Sequence, residues 1–168
     1  MYIFFIIIAV IFLDQVSKIY IKFYYLSDIP SKIIIKDFLV FELTHNPGVA
    51  FGLLSKQTFI KPFVDVLTVF ILFFLFSLLV KAVKNHSCEK FPLAFIIGGA
   101  IGNMIYRLLM YFEFFDYKGV VDFIKLEYYG NSWYVFNIAD ACITIGVILF
   151  FIFEITKSFK VYGKENIK

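Results

Sequence analysis

Four long apolar runs constrain the fold of this chain more than any other feature. The runs cover about residues 1–26, 62–83, 91–110 and 134–156. A bilayer crossing needs about 20 mostly apolar helical residues, so each run is long enough to span the hydrocarbon layer. A water-soluble fold is disfavoured, because 61% of the 168 residues are hydrophobic and the mean hydropathy is +0.86. We therefore predict a membrane all-α protein with four transmembrane helices, forming a single integral membrane domain over 1–168.

The segments between the runs predict small pieces outside the bilayer. Residues 33–43 are rich in β-branched and aromatic side chains, and His45-Asn46-Pro47-Gly48 breaks this pattern, which indicates a short sheet or hairpin. Residues 84–90 form a connector short enough to join antiparallel helices. Residues 111–133 form an outer loop, which we expect to be mobile as a lid over a site that faces lipid.

Lysine distribution predicts the orientation of the chain. Four crossings place both termini on one side of the membrane, together with the 84–90 connector. Lysines are dense on that side, at Lys81, Lys84 and Lys90 and in the C-terminal tail. The positive-inside rule therefore favours cytoplasmic termini. The first run lacks the basic start and small-residue cleavage site of a secretory signal peptide, so we expect it to be retained.

Composition also argues against several kinds of site. The basic residues are dispersed between the apolar runs, so we expect no nucleic-acid partner. Cys88 lies in a connector and Cys142 in an apolar run, so we predict no disulfide. No zinc motif is present, and we predict no metal and no cofactor. With only His45 and His86 as histidines, a serine or cysteine nucleophile has weak support.

Charged residues interrupt the apolar runs. A charge near the bilayer centre costs about 2.5–3.5 kcal/mol, so each such residue is a functional hypothesis. Asp14 and Lys18 are four residues apart and share one helix face, where they can form an ion pair. A purely structural pair and a direct functional role both remain open. Gly98 and Gly102 have the spacing that lets two helix backbones approach closely.

A second group of polar residues lies in and around the third and fourth runs. Asn103 and Arg107 share one helix face, and a buried arginine pairs best with carboxylates. Asn137 and Asp140 share a face in the first turns of the fourth predicted helix. Asp122 is the only charge in an apolar pentad, where it is either a functional carboxylate or a simple turn or cap residue.

The directions of the helices bring Asp14, Arg107, Asp122 and Asp140 towards the same membrane face. Two carboxylates in a partly dehydrated pocket tend to share one proton and to titrate as a unit. The ionised member can activate water, and the protonated member can donate to a carbonyl oxygen or a leaving nitrogen. A polar relay in a small transporter or ion-coupling subunit is the alternative, although these charges do not mark a path across the membrane.

Five motifs, taken in order, resemble those of the lipoprotein signal peptidases (signal peptidase II), which are membrane aspartic peptidases of bacteria. The motifs are Asp14-Gln15-x-x-Lys18, Asn46-Pro47-Gly48-Val49-Ala50-Phe51-Gly52, Gly98-Gly99-Ala100-x-Gly102-Asn103 with Arg107, Val120-Val121-Asp122-Phe123-Ile124, and Phe136-Asn137-x-Ala139-Asp140. The resemblance covers nearly the whole chain. Each motif alone is weak, but five in the family's order are specific.

The resemblance implies that Asp122 and Asp140 are the two catalytic aspartates. It also implies a set of residues that bind substrate or support the site, namely Asp14, Lys18, Asn46, Gly48, Asn103, Arg107 and Asn137. The sequence departs from the family in two places. Tyr106 stands where an aspartate usually precedes the arginine, and 111–117 has the character of an insertion.

The activity implied is that of an endopeptidase that removes the signal peptide from prolipoproteins whose cysteine carries a diacylglyceryl group. The site would lie near the outer face of the bacterial inner membrane, in a monomer surrounded by membrane lipid. The extended segment 33–43, with Asn46, is predicted to hold the substrate by strand-like hydrogen bonds. A catalytically inactive relative that binds these precursors is a further alternative, suggested by Tyr106 and opposed by the retention of both aspartates.

Overall fold

The computed structural model describes residues 2–46, 60–112 and 119–165. In chain order the elements are α1 (Tyr2–Tyr20), a π-helical turn (Ile21–Tyr25), β1 (Ser31–Ile35), β2 (Leu39–Asn46), α2 (Ile60–Lys84), α3 (Lys90–Tyr111), β3 (Val120–Tyr128), β4 (Asn131–Ser132) and α4 (Ile138–Glu165). The four α-helices, α1 with its π-helical turn, are long and apolar enough to cross a membrane, which confirms the predicted architecture.

Helix α3 is the centre of the bundle. Within its most apolar stretch, 44% of α3 is buried inside the structure. The corresponding share for α2 is 6%, so most of the surface of α2 faces lipid. Glycines make the close packing of α3 possible. A Cβ on Gly98 would lie 2.9 Å from Val10 Cβ in α1, and one on Gly99 would lie 2.5 Å from the Ala139 carbonyl oxygen in α4. The backbones of α1 and α4 therefore pack directly against α3, as small residues allow.

The strands form one antiparallel sheet in the order β1-β2-β3-β4. Strands β1 and β2 are the hairpin predicted around residues 33–43. Strands β3 and β4 were not predicted, because the segment 111–133 was interpreted as a mobile loop. The first four residues of β3 are all buried, so the strand lacks the alternation that signals a half-exposed strand. The expectation of a lid is therefore wrong for 120–132, while 113–118 lie outside the described residues.

The fourth helix begins at Ile138 and not at Tyr134 as predicted, because the chain before it pairs with β3. The Phe136 N–H donates to the Ile124 carbonyl at 2.9 Å, and the Phe136 carbonyl accepts from the N–H groups of Phe123 and Ile124 at 3.0 and 2.8 Å. These bonds fix residue 136 in extended backbone. The start of α4 is thereby held against β3.

Two apolar clusters stabilise the two ends of the bundle. The cluster under the sheet contains Ile21, Leu26, Tyr106, Val120, Val121 and Phe123. The cluster at the far end contains Ile3, Ile7, Leu79, Ala82, Leu93, Ala94 and Ile97. Between these clusters the buried side chains of α1 and α3 include polar and charged groups. The candidate site residues that the structure describes lie there and along the sheet.

Candidate active site

The N-terminus of α4 fixes Asn137 and Asp140 to each other. Asn137 Oδ1 accepts the Asp140 N–H at 2.9 Å, and Asp140 Oδ2 accepts the Asn137 N–H at 3.2 Å. This reciprocal pair is a capping box, which satisfies two N–H groups that a helix start would otherwise leave open. Asn137 was predicted inside the helix, and it is instead the residue that caps it. Asp140 is thereby held at the positive end of the α4 dipole.

Asp122 reaches the same place from β3. It lies opposite Thr44 in the β2–β3 ladder, and Asn46 is its diagonal neighbour on the same face. Asn46 Nδ2 donates to Asp122 Oδ2 at 3.1 Å, and Asn137 Nδ2 donates to Asp122 Oδ1. The side chain is 2% exposed. Since Asp122 is a buried strand residue with amide partners, the turn-or-cap interpretation is wrong.

Asn103 of α3 connects the two carboxylates. Its Nδ2 donates to Asp140 Oδ1 at 2.8 Å, and its Oδ1 accepts from Asn137 Nδ2 at 3.1 Å. Asp140, Asn103, Asn137 and Asp122 therefore form one continuous hydrogen-bond network. Buried networks of this kind hold their members in one arrangement when every group has a partner.

Lys18 and Asp14 of α1 support this network from below. Lys18 Nζ donates to Asp14 Oδ2 and to Asn103 Oδ1, both at 2.8 Å, and lies 5.0 Å from the centroid of the Tyr106 ring. Asp14 Oδ1 accepts the Ala139 N–H at 3.0 Å, so this carboxylate also serves the N-terminus of α4. The i, i+4 ion pair is present and completely buried. The hydrogen bond from Lys18 to Asn103 indicates that this ion pair orients the Asn103 side chain.

Gln15 and Gly102 also lie next to Asp14. No role was predicted for Gln15 from the sequence. Gln15 Nε2 donates to Asp14 Oδ2 at 2.9 Å and to the Gly102 carbonyl at 3.0 Å. A Cβ on Gly102 would lie 2.7 Å from Asp14 Oδ2, so a larger residue would displace the carboxylate. The position of Gln15 within the first motif was the only signal for its role.

Arg107 pairs with a carboxylate, as its position in an apolar run predicts, and that carboxylate belongs to α2. Arg107 Nη1 lies 3.1 Å from Asp65 Oδ1 and donates to Thr68 Oγ1 at 3.4 Å. Asp65 was missed because it lies near the start of α2, just before the long uncharged run of that helix, and so looks like a helix-end charge. It supplies a carboxylate to Arg107, whereas Tyr106, at the position where the family usually has aspartate, packs against Lys18.

The environment of Asp122 favours its protonated form. Burial, reinforced by the nearby Asp140 carboxylate, raises the pKa of Asp122 from its ordinary value of 3.8 to about 7. The amide hydrogen bonds from Asn46 and Asn137 and the charge of Lys18 oppose this rise. Asp122 is therefore suited to hold a proton near neutral pH.

An apolar cavity of about 730 Å³ opens beside Asp140. Its walls come from β3, β4, the segment that follows β4, and α4, and include Leu126, Trp133, Tyr134 and Ile145. A space of this size accommodates an apolar ligand segment with one polar side at the carboxylate. Gly48 lies outside the described residues. Within the ranges that are described, no three His, Cys, Asp or Glu side chains are grouped so as to hold a metal ion.

Comparison with known proteins identifies the family. Residues 6–156 match the family described as signal peptidase (SPase) II. The chain belongs to the signal peptidase II family. Among full-length relatives, the lipoprotein signal peptidase of Pelagibacter ubique is 33% identical over 161 residues, which are 96% of this chain and 92% of the relative. That of Clostridium tetani is 39% identical over 153 residues, covering 89% of this chain and 90% of the relative.

Two solved structures share the fold of this chain. One, described as a bacterial membrane enzyme at 2.3 Å resolution, matches with a TM-score of 0.77 and 32% identity over 94% of this chain and 89% of that chain. A second bacterial membrane enzyme, at 1.9 Å, matches with a TM-score of 0.70 and 34% identity over 90% of each chain. The protein is thus a multi-pass membrane aspartic peptidase of bacteria with lipoprotein signal peptidase function. This confirms the predicted activity, and the transporter interpretation is wrong.

Proposed function

We propose that Asp122 and Asp140 are the catalytic pair of this peptidase. The observation that carries the proposal is the single network in which Asn103 and Asn137 join these two carboxylates, one from the sheet and one from the start of α4. Their surroundings are unequal, and such inequality is how two carboxylates divide acid and base roles. The remaining members of the site, Asp14 and Lys18, orient the network and do not react.

The roles follow from the hydrogen bonds. Asp140 is the base, because the Asn103 amide and the N-terminus of α4 both stabilise its ionised form. It takes a proton from water, which attacks the carbonyl carbon of the scissile bond. Asp122 is the acid, because its raised pKa keeps a proton available for the carbonyl oxygen. When the tetrahedral intermediate breaks down, Asp140 gives the proton that it took from water to the leaving nitrogen, and Asp122 takes a proton back from the hydroxyl of the intermediate. The pair thereby returns to its starting protonation.

The substrate we infer is a prolipoprotein whose cysteine carries a diacylglyceryl group. The apolar cavity beside Asp140 suits an apolar part of such a substrate, and the sheet next to it offers the outer edge of β1 for extended backbone. Because the sheet and both aspartates lie at one end of the bundle, we infer that this end faces the outside, with both termini in the cytoplasm. The proposed residues belong to one chain, which supports a monomeric enzyme.

The test is cleavage of a diacylglyceryl-modified prolipoprotein by the purified protein in lipid. We expect Asp122→Asn and Asp140→Asn each to lower kcat by about 10²-fold or more, the usual contribution of a positioned acid or base. The matched control is Asp37→Asn, which makes the same chemical change at an exposed turn of the same sheet. Its rate should equal that of wild type.

Two results would overturn the proposal. Near-normal turnover in either aspartate variant would remove that residue from the chemistry. An inactive wild-type protein that still binds the precursor would favour the binding-only relative. Thermal unfolding of each variant, measured alongside, separates a lost reaction from a lost fold.

A further inference from the structure

A polar cavity lies at the opposite end of the bundle from the proposed active site. It measures about 430 Å³ and lies between the last turns of α2, the connector to α3, and α4. Its floor is apolar, formed by Leu78, Leu93 and Phe150, and its rim is polar. Since the apolar window of α2 ends at Lys84 and that of α3 begins at Lys90, the rim lies at the level of lipid headgroups.

The α4 side of the rim is already neutralised. Glu89 accepts hydrogen bonds from Lys157 Nζ at 2.7 Å and from Ser87 Oγ at 2.6 Å. These two bonds hold the pKa of Glu89 below its usual range, so the carboxylate stays charged. Glu154 lies 3.7 Å from the same Lys157 ammonium. Lys157 therefore has two carboxylate neighbours, which leave it little charge to attract a ligand.

The α2 side of the rim is different. Lys81 and Asn85 are one helical turn apart, so both side chains lie on the cavity side of α2. Among the residues that the structure describes, neither side chain has a hydrogen-bonding or ionic partner. The ammonium of Lys81 and the amide of Asn85 are thus available donors, and Lys84 and Lys90 add positive charge on either side of the connector.

We propose that this cavity binds an anionic glycerophospholipid, with the phosphate on Lys81 and Asn85 and an acyl chain over the apolar floor. Two unpartnered donors suit phosphate oxygens, and the basic residues around the connector favour a net negative headgroup. The apolar floor is what favours a lipid over free phosphate, because an ion alone would leave the surfaces of Leu78 and Phe150 that face the cavity uncovered. The site is remote from the peptidase residues and independent of their roles.

The test is native mass spectrometry of the purified full-length protein titrated with phosphatidylglycerol. We expect Lys81→Gln to weaken the first binding event about fivefold, the effect of one basic residue at an anionic surface. The matched control is Lys84→Gln, which removes the same charge from an exposed position on the same helix but outside the cavity. It should weaken binding clearly less than Lys81→Gln does, because Lys84 adds only to the charge around the cavity and does not line it. Asn85→Ala should weaken binding as well, and all three variants should keep wild-type peptidase activity.

Three results would overturn the proposal. Equal losses in Lys81→Gln and Lys84→Gln would show only general attraction between basic residues and anionic lipid. Equal affinity for phosphatidylcholine would remove the selectivity for a negative headgroup. Glycerol phosphate that competes as well as phosphatidylglycerol would show a phosphate site with no role for the acyl chain.

Discussion

At the scale of single residues, the proposed role of Asp122 as the acid predicts the pH range of the enzyme. Its burial raises the pKa to about 7, and the proposed acid must carry a proton. We therefore expect kcat/KM to fall as the pH rises through about 7, where Asp122 ionises. The effect on folding has the same direction. Because the pKa of Asp122 is higher in the folded than in the unfolded chain, its contribution to stability is full below about 3.8 and is lost as the pH rises from there to about 7.

Asn46 offers a way to move that pH limit. Its amide donates to Asp122 Oδ2 and lowers the pKa, so Asn46→Ala should raise it. One lost hydrogen bond to a charged group shifts a pKa by about one unit, so the alkaline fall of kcat/KM should move up by about one pH unit. The measurement is a pH–rate profile beside that of Asp37→Asn. An alkaline limb that stays in place would mean that another group sets it.

Loss of the ion pair between Arg107 and Asp65 should lower the free energy of unfolding. Their side chains are only 17% and 15% exposed, so Asp65→Ala leaves a mostly buried guanidinium without its carboxylate. We expect a loss of about 1–3 kcal/mol in the free energy of unfolding, measured in detergent. The control is Glu42→Ala, which breaks the more exposed pair with Lys125 and should cost under about 1 kcal/mol. Equal losses in the two variants would contradict a special role for Asp65.

At the scale of elements, helix packing and helix propensity make opposite predictions for α3. By propensity alone, Gly99→Ala would stabilise the helix by about 1 kcal/mol and Ala100→Gly would destabilise it by a similar amount. The new Cβ at Gly99 would lie 2.5 Å from the Ala139 carbonyl oxygen, which is backbone and has little room to move. We expect Gly99→Ala to be the more harmful variant. The check is thermal unfolding of both, with turnover as a second reading because α4 carries Asp140.

Some elements follow from the sequence and others do not. The four helices follow from run length alone, because a bilayer demands about 20 apolar residues whatever the tertiary contacts. Strand β3 does not, because its first residues are buried on both faces and give no alternation. The start of α4 was misplaced for a related reason. Tyr134 and Phe136 look like helix residues, but backbone bonds to β3, invisible in a local window, keep residue 136 extended.

The contacts in the site also divide into those that the sequence predicts and those that only the fold reveals. The Asp14–Lys18 pair follows from a spacing of four residues, and the structure has it. The pairing of Arg107 with Asp65 spans 42 residues, and nothing local distinguishes Asp65 from a helix-end charge. The helix directions predict that Asp122 and Asp140 lie at the same membrane face, and resemblance identifies them as the two catalytic aspartates. The bonds through Asn103 and Asn137 that join them needed the fold.

At the scale of the whole molecule, the proposed orientation can be tested with a cysteine of the native chain. Cys88 is exposed in the connector between α2 and α3, which we place in the cytoplasm. A membrane-impermeant maleimide should therefore label Cys88 only after the cytoplasmic membrane is disrupted. The matched probe is Asp37→Cys in the β1–β2 turn, which should react in intact cells. The reverse labelling pattern would show that the chain has the opposite orientation in the membrane.

The bond between Asp14 and the Ala139 N–H has a consequence for biosynthesis. It joins the first helix to the last across 125 residues. Helix α1 enters the membrane with Lys18 already beside Asp14, so the local pair can neutralise both charges while the chain is still being made. The hydrogen bond from the Ala139 N–H to Asp14 can form only after α4 has been synthesised. With Asp140 as the proposed base, a nascent chain has no peptidase activity until translation has passed residue 140, however many helices have already been inserted.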